Sequence, residues 1–305
     1  MPADAGKPSN ACKSDLAGAS VKAAAFRYVR AQSLEHCLAV LAEYGDEARI
    51  LAGGQSLLPS LALRLSAPAV LVDVNRVAAL SGEPQVSEDW VRLPALLRHA
   101  QLITSPLVQA HLSLLHRAAP WIAHPGIRNQ GTVCGSLAVG DPASELPACA
   151  VASGARLVLQ SQARGTRVVP AREFYVGLMQ TACAPDEMIV AVEFPRMDGL
   201  RTGFREVARR RGDYAMVGLA GVARRGGRGL TQTGLTFFGI GDRPLLAASI
   251  GAAIEKADTA SQAVALALEA YARDITPNAD LWCSGPAKKH IGRSVLEEVV
   301  HDLFQ

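Results

Sequence analysis

Between Ala123 and Pro147 the chain reads AHPGIRNQGTVCGSLAVGDPASELP, with four glycines and three prolines in 25 residues. Regular helices and central strands do not tolerate that density of breakers and missing donors. The segment is therefore expected to run as one long functional loop. Such a loop needs a packed scaffold, and the rest of the chain supplies one. Of 305 residues, 49% are hydrophobic and 19% charged, which argues against disorder and for about two compact domains.

Charge and composition exclude several classes of function. A net charge of +3 gives no electrostatic footprint for nucleic acid, and 5% aromatics leaves few platforms on which bases could stack. No apolar run reaches the ~18 residues of a membrane span, so membrane insertion is not expected. The first 25 residues are small, polar and broken by Lys7, Lys13 and Lys22, which reads as a flexible lead to a cytoplasmic protein. Cys12, Cys37, Cys134, Cys149, Cys183 and Cys283 form no CxxC pair, so reduced, mostly core thiols are expected. His111 and His116 are five apart, off one helical face, and HExxH is absent; no metal site is expected in this chain.

Along the chain, Ser33 is a helix cap for Leu34, Cys37, Leu38 and Leu41, and Gly45 is the stop. A strand over 49–52 leads into Gly53-Gly54, a helix over 56–65 and a strand over 70–74. Helices are predicted over 96–102, 106–119 and 145–153, and a strand over 156–160. Near the C-terminus come a strand over 235–240 and helices over 245–256, 261–274 and 287–303. Strands and helices mix without strict alternation, so the fold class is α+β.

Three nucleotide and hydrolase signatures are missing. AGGQSLLP lacks the GK[ST] of a phosphate loop, GIGDRP has proline where GxGxxG needs glycine, and neither Ser56 nor Ser136 sits in GxSxG. Two glycine-rich loops remain, Gly53-Gly54-Gln55-Ser56 and Thr132-Val133-Cys134-Gly135-Ser136. Glycine lets backbone N–H groups approach a ligand, and the hydroxyl and amide side chains add donors for phosphate oxygens. Two such loops could clamp one pyrophosphate; ordinary turns use the same residues.

FRYVRAQSLEHCLAVLAEYGDEARILAGGQSLLPSLALRLSAPAVLVDVNRV, IRNQGTVCGSLAVGDPASELPA and FREVARRRGDYAMVG follow one another from Phe26 onward. Together they resemble the FAD-binding subunit of molybdenum hydroxylases, the carbon monoxide dehydrogenase medium-chain and xanthine dehydrogenase FAD-subunit family. The resemblance implies a two-lobed FAD-binding domain of the vanillyl-alcohol-oxidase (PCMH) type over 26–195, with lobes at about 26–80 and 81–195. A smaller α+β domain follows over 196–305.

It also implies that Ala52, Gly53, Gly54, Gln55 and Ser56, with Thr132, Val133, Gly135 and Ser136, hold the FAD pyrophosphate. Glu145 matches the acidic position on the flavin's polar chain, and Val190 a position approaching the ring through its backbone. Tyr214 matches the residue packed on the isoalloxazine, and Arg205 a basic position nearby.

Two departures stand out. Cys134 occupies the place of a family glycine, where a positive φ would cost ~1 kcal/mol or more. Leu93-Pro94 replaces an isoleucine-glycine pair in a loop that reaches the flavin, so that loop is not counted among the candidate residues.

The implied function is electron transfer by bound FAD in a heterotrimeric oxidoreductase. An iron–sulfur small subunit and a molybdenum-cofactor large subunit would be the partners. The alternatives are a free-standing FAD-dependent oxidoreductase and a scaffold subunit that has lost FAD.

Overall fold

A computed structural model describes residues 23–227 and 229–305; Cys12 and most of the expected N-terminal lead lie outside them. The first sheet is parallel and three-stranded, with Val70–Asp73 between Arg27–Arg30 and Ala48–Leu51. Val70, Leu71 and Val72 are buried, as a central β-branched run requires. Beside it runs the helix Leu34–Tyr44. Ser33 Oγ caps it by accepting from the His36 N–H at 3.2 Å, and Gly45 ends it at φ 48°.

The second sheet is antiparallel in the order Gln85–Val86, Trp90–Pro94, Glu187–Pro195, Arg156–Ser161 and Gly165–Pro170. Its central strand, Glu187–Pro195, is buried along most of its length. The expected helix over 106–119 is divided into Pro106–His111 and Ser113–Ala118, and the one over 96–102 begins only at His99.

The third sheet is antiparallel: Leu200–Val207, Val217–Arg225, Leu230–Phe238 and Leu245–Leu246. The predicted helix over 245–256 therefore starts as an edge strand and becomes helical at Ala248–Ile254. Ala260–Asp274 and Gly285–Phe304 complete a helical layer, and Leu219, Leu235, Phe237, Leu296 and Val299 form a core between that layer and the sheet.

The opposite face of the third sheet contributes Phe204, Ala220, Val222 and Phe238 to the apolar cluster shared with the first two sheets. Glu145–Ser153 is the helix at this seam. A Cβ on Gly234 would lie 2.0 Å from the Ala152 carbonyl oxygen, so only glycine lets sheet and helix approach this closely. The region therefore presents both faces to apolar partners and holds the third sheet against the rest.

Residues 123–147 are not one loop. They contain the short helices Pro125–Arg128 and Val133–Val139. The glycines that argued against a helix help to bound one. Thr132 is the N-cap, its Oγ1 accepting from the Gly135 N–H at 3.1 Å, and Gly140 is the left-handed C-cap at φ 62°.

Candidate functional site

The first glycine loop leaves the end of the parallel strand Ala48–Leu51 and enters the helix Leu57–Ala62. Gly54 adopts φ 72°, which favours glycine, and Gln55 Nε2 donates to the Gly53 carbonyl at 2.9 Å. The N–H groups opening a helix have no intrahelical acceptor, so this loop presents donors to whatever faces it.

The second loop runs from Gly131 into the helix Val133–Val139. The two loops meet at Gly53. A Cβ there would fall 2.5 Å from the Gln130 carbonyl oxygen and 2.7 Å from Gly131 Cα, both backbone atoms. Gly53 is thus the hinge point at which the loops form one wall.

Cys134 carries no backbone strain. It is helical, has no positive φ and is buried, and burial pushes its thiol up to about 12. Of the other described cysteines, Cys37 and Cys149 are buried and Cys183 and Cys283 partly so; all are free thiols.

Both loops line a cleft of about 620 Å³. Ala52, Gly53, Gly54, Gln55, Ser56, Thr132, Gly135, Ser136, Glu145 and Tyr214 all face it. Tyr214 follows a tight turn at Gly212 and is 66% exposed, leaving its ring available to a planar ligand. Val133 points into the core instead. Val190 also has a buried side chain, but it sits at a β-bulge: pairing with Arg156–Ser161 skips from Ile189 to Ala191, and pairing with Trp90–Pro94 stops at Ala191. Val190 is not among the residues lining the cleft, although its neighbours Met188 and Ile189 are.

Arg205 does not reach the cleft. Alternation along Leu200–Val207 turns it away from its neighbours Phe204 and Glu206, toward the C-terminal helix. There it pairs with Glu298 at 2.7 Å and Asp302 at 2.9 Å, beside a separate hollow of about 430 Å³.

Sequence reasoning missed one stretch of the cleft wall. The segment after Leu93-Pro94 does reach the cleft, through Ala95, Leu96 and His99. His99 Nε2 lies 2.9 Å from the Thr132 carbonyl, which can only accept, so this nitrogen carries the proton. Burial pulls the imidazole down to about 4, so it is neutral at ordinary pH. The HAQ segment in the sequence carried no sign of this, because its partner is a backbone atom 33 residues away.

Glu206 lies outside the cleft, on the wall of the separate hollow beside Arg205, and is buried with Oε2 unpartnered among the described residues. Burial, followed by the charge of Glu145, pushes its carboxyl up to about 8. Burial also lifts Glu145 to about 7, with Asp141 adding to the effect. The alternation of FREV could have signalled Glu206 as an inward-facing acid. Two carboxyls whose proton affinity is raised by burial therefore lie in one electrostatic cluster, and one of them, Glu145, is on the cleft wall.

Comparison with known proteins places this geometry in a family. Residues 24–197 match the FAD binding domain in molybdopterin dehydrogenase, and residues 202–303 match the CO dehydrogenase flavoprotein C-terminal domain. The chain is 36% identical over 282 residues to the 6-hydroxypseudooxynicotine dehydrogenase complex subunit alpha of Paenarthrobacter nicotinovorans, covering 92% of this chain and 95% of that one.

Among solved structures, it superposes on a chain of carbon monoxide dehydrogenase from Hydrogenophaga pseudoflava with TM-score 0.88 at 32% identity, covering 92% of this chain and 98% of the other. A chain of quinoline 2-oxidoreductase from Pseudomonas putida 86 gives TM-score 0.85 at 32% identity, with 93% and 98% covered. Two contiguous domain matches and full-length relatives carry the same conclusion: the chain belongs to the family of FAD-binding subunits of molybdopterin dehydrogenases, with a carbon monoxide dehydrogenase-type flavoprotein C-terminal domain.

Proposed function

We propose that this chain is the FAD-carrying electron-transfer subunit of a heteromeric molybdenum hydroxylase. The carrying observation is the approach of the two glycine loops at Gly53, which puts both on the wall of one cleft. The residues fit the cofactor. Backbone N–H groups, Ser56, Ser136 and Gln55 suit a diphosphate, the cleft volume lies in the range of cofactor sites, and Tyr214 offers a free aromatic face. Cys134 adds no strain, so nothing in the second loop favours a chain that has lost FAD.

When bound, FAD supplies redox chemistry that lets electrons arriving singly leave as a pair. The chain's own residues bind the diphosphate and present Tyr214 to the ring, and burial raises the proton affinity of Glu145 on the cleft wall. An iron–sulfur small subunit and a molybdenum-cofactor large subunit are the proposed partners, and the cytoplasm is the proposed compartment. Among the described residues no helix is long and apolar enough to cross a membrane. We read 26–195 as the flavin domain, with lobes at about 26–80 and 81–195, and 196–305 as the smaller domain.

Co-expression with candidate small and large subunits tests this. The expected product is a complex with one flavin per copy of this chain, whose visible bands bleach when the substrate of the complex is added. A fully active complex that carries no flavin would overturn the reading. A flavin-bearing chain that turns over substrate alone would favour the free-standing oxidoreductase.

A further inference from the structure

Arg98 ties the two glycine loops together from behind the cleft wall. Its Nη2 donates to Asn75 Oδ1 at 2.8 Å, and Asn75 Nδ2 donates to the Ala52 carbonyl at 2.8 Å, where the first loop begins. Its Nη1 donates to the Gln130 carbonyl, the oxygen that faces Gly53. The neighbouring residues extend the brace along the second loop. The His99 N–H donates to the Gly131 carbonyl at 3.0 Å, the His99 ring donates to the Thr132 carbonyl, and the Val133 N–H donates to the Leu97 carbonyl at 2.9 Å.

All the acceptors of Arg98 are neutral. Among the described residues no carboxylate pairs with its guanidinium, although the side chain is partly buried. Other partly buried arginines have such a partner, Arg92 and Arg156 sharing Glu193 and Arg205 holding Asp302, whereas Arg128 beside the second loop, like Arg98, meets only carbonyls among the described residues. A desolvated cation without a counter-charge is costly, and an anion arriving nearby relieves that cost. The planar fork also explains why arginine stands here. It reaches acceptors on two separate elements in one fixed geometry, which a lysine ammonium does not do.

We propose that Arg98 is a positioning residue for a diphosphate: it fixes the separation of the two loops and supplies the uncompensated charge that the dianion neutralises. The inference rests on the FAD reading for the identity of the ligand, but not for its chemistry. Sequence spacing does not mark this residue, because its partners lie 23 and 32 positions away and two of the three linked groups are backbone carbonyls.

The test uses the full chain freed of flavin, titrated separately with FAD and with ADP, which carries the diphosphate without the flavin. In Arg98→Met both affinities are expected to fall together by about tenfold or more, and their salt dependence to flatten. Arg98→Lys is expected to recover the salt dependence but only part of the affinity, because charge returns without the fork. The melting temperature of the flavin-free chain is expected to stay close to that of the wild type in Arg98→Lys.

The proposal is overturned if Arg98→Met binds both ligands as the wild type does. It is equally overturned if Arg98→Lys loses thermal stability in step with its loss of binding, which is the mark of a merely structural residue. Wild-type chain that binds ADP but not FAD contradicts the flavin reading and keeps the diphosphate site. Wild-type chain that binds neither contradicts both.

Discussion

Gly53→Val is expected to strip FAD from the chain while leaving the flavin-free fold standing. The reason is local and steric. A side chain at this position meets the Gln130 carbonyl oxygen and Gly131 Cα at distances that no real Cβ tolerates, and neither atom can rotate away as the tip of a side chain would. The loops must part, and the donors they present lose their common focus. Overpacking of this kind costs about 1–3 kcal/mol, which corresponds to roughly tenfold to hundredfold in affinity if it falls on binding. Gly53→Ala should show the lower end of that range. Flavin fluorescence on titration reads the affinity, and a melt of the flavin-free chain reads the fold. Unchanged flavin stoichiometry in Gly53→Val would remove the first loop from the site.

The second large effect is on the pH dependence of stability, and it comes from Glu206. Its folded-state carboxyl lies at about 8, far above the ordinary value of 4.5. Between those values the folded chain keeps a proton that the unfolded chain has released. Stability therefore falls as pH rises through this window, at up to about 1.4 kcal/mol per pH unit, and levels off above the folded value. Glu145, at about 7, adds a shorter window of the same sign. Carboxylates held low by arginines act oppositely, but their effect lies at acid pH: Glu187, at about 2 beside Arg167, loses its stabilising contribution only as pH drops below the ordinary carboxylate range. Glu206→Gln should flatten the decline between about pH 5 and pH 8, because an amide carries no titrating proton. Urea unfolding midpoints across that range are the measurement. Parallel curves for wild type and variant would mean that Glu206 ionises freely in the folded chain.

What could be read from the sequence is what local chemistry decides. The cap at Ser33 and the stop at Gly45 each depend on a few neighbouring residues and form as read, and the strand expected over 70–74 forms over Val70–Asp73. The glycine loops are marked by local composition too, although ordinary turns use the same residues, and the structure places both on one cleft.

The errors arose where a residue's role is set from elsewhere in the chain. The glycines of 123–147 read as breakers when counted, yet Gly140 is a helix cap and Gly135 makes room for the Thr132 hydroxyl folding over the first turn. The family resemblance implies a place near the ring for Arg205, but the pleat of the strand sends it to Glu298 and Asp302. Asn75, Arg98 and His99 bond to atoms far along the chain, so no spacing rule marked them.

We propose that both glycine loops hold one diphosphate together. Amide hydrogen exchange, followed in the full chain with and without FAD, tests it most directly. FAD is expected to slow exchange over residues 53–57 and 131–136 in the same titration, with one midpoint for both segments. FAD that binds while protecting only one of these segments, or neither, would contradict it.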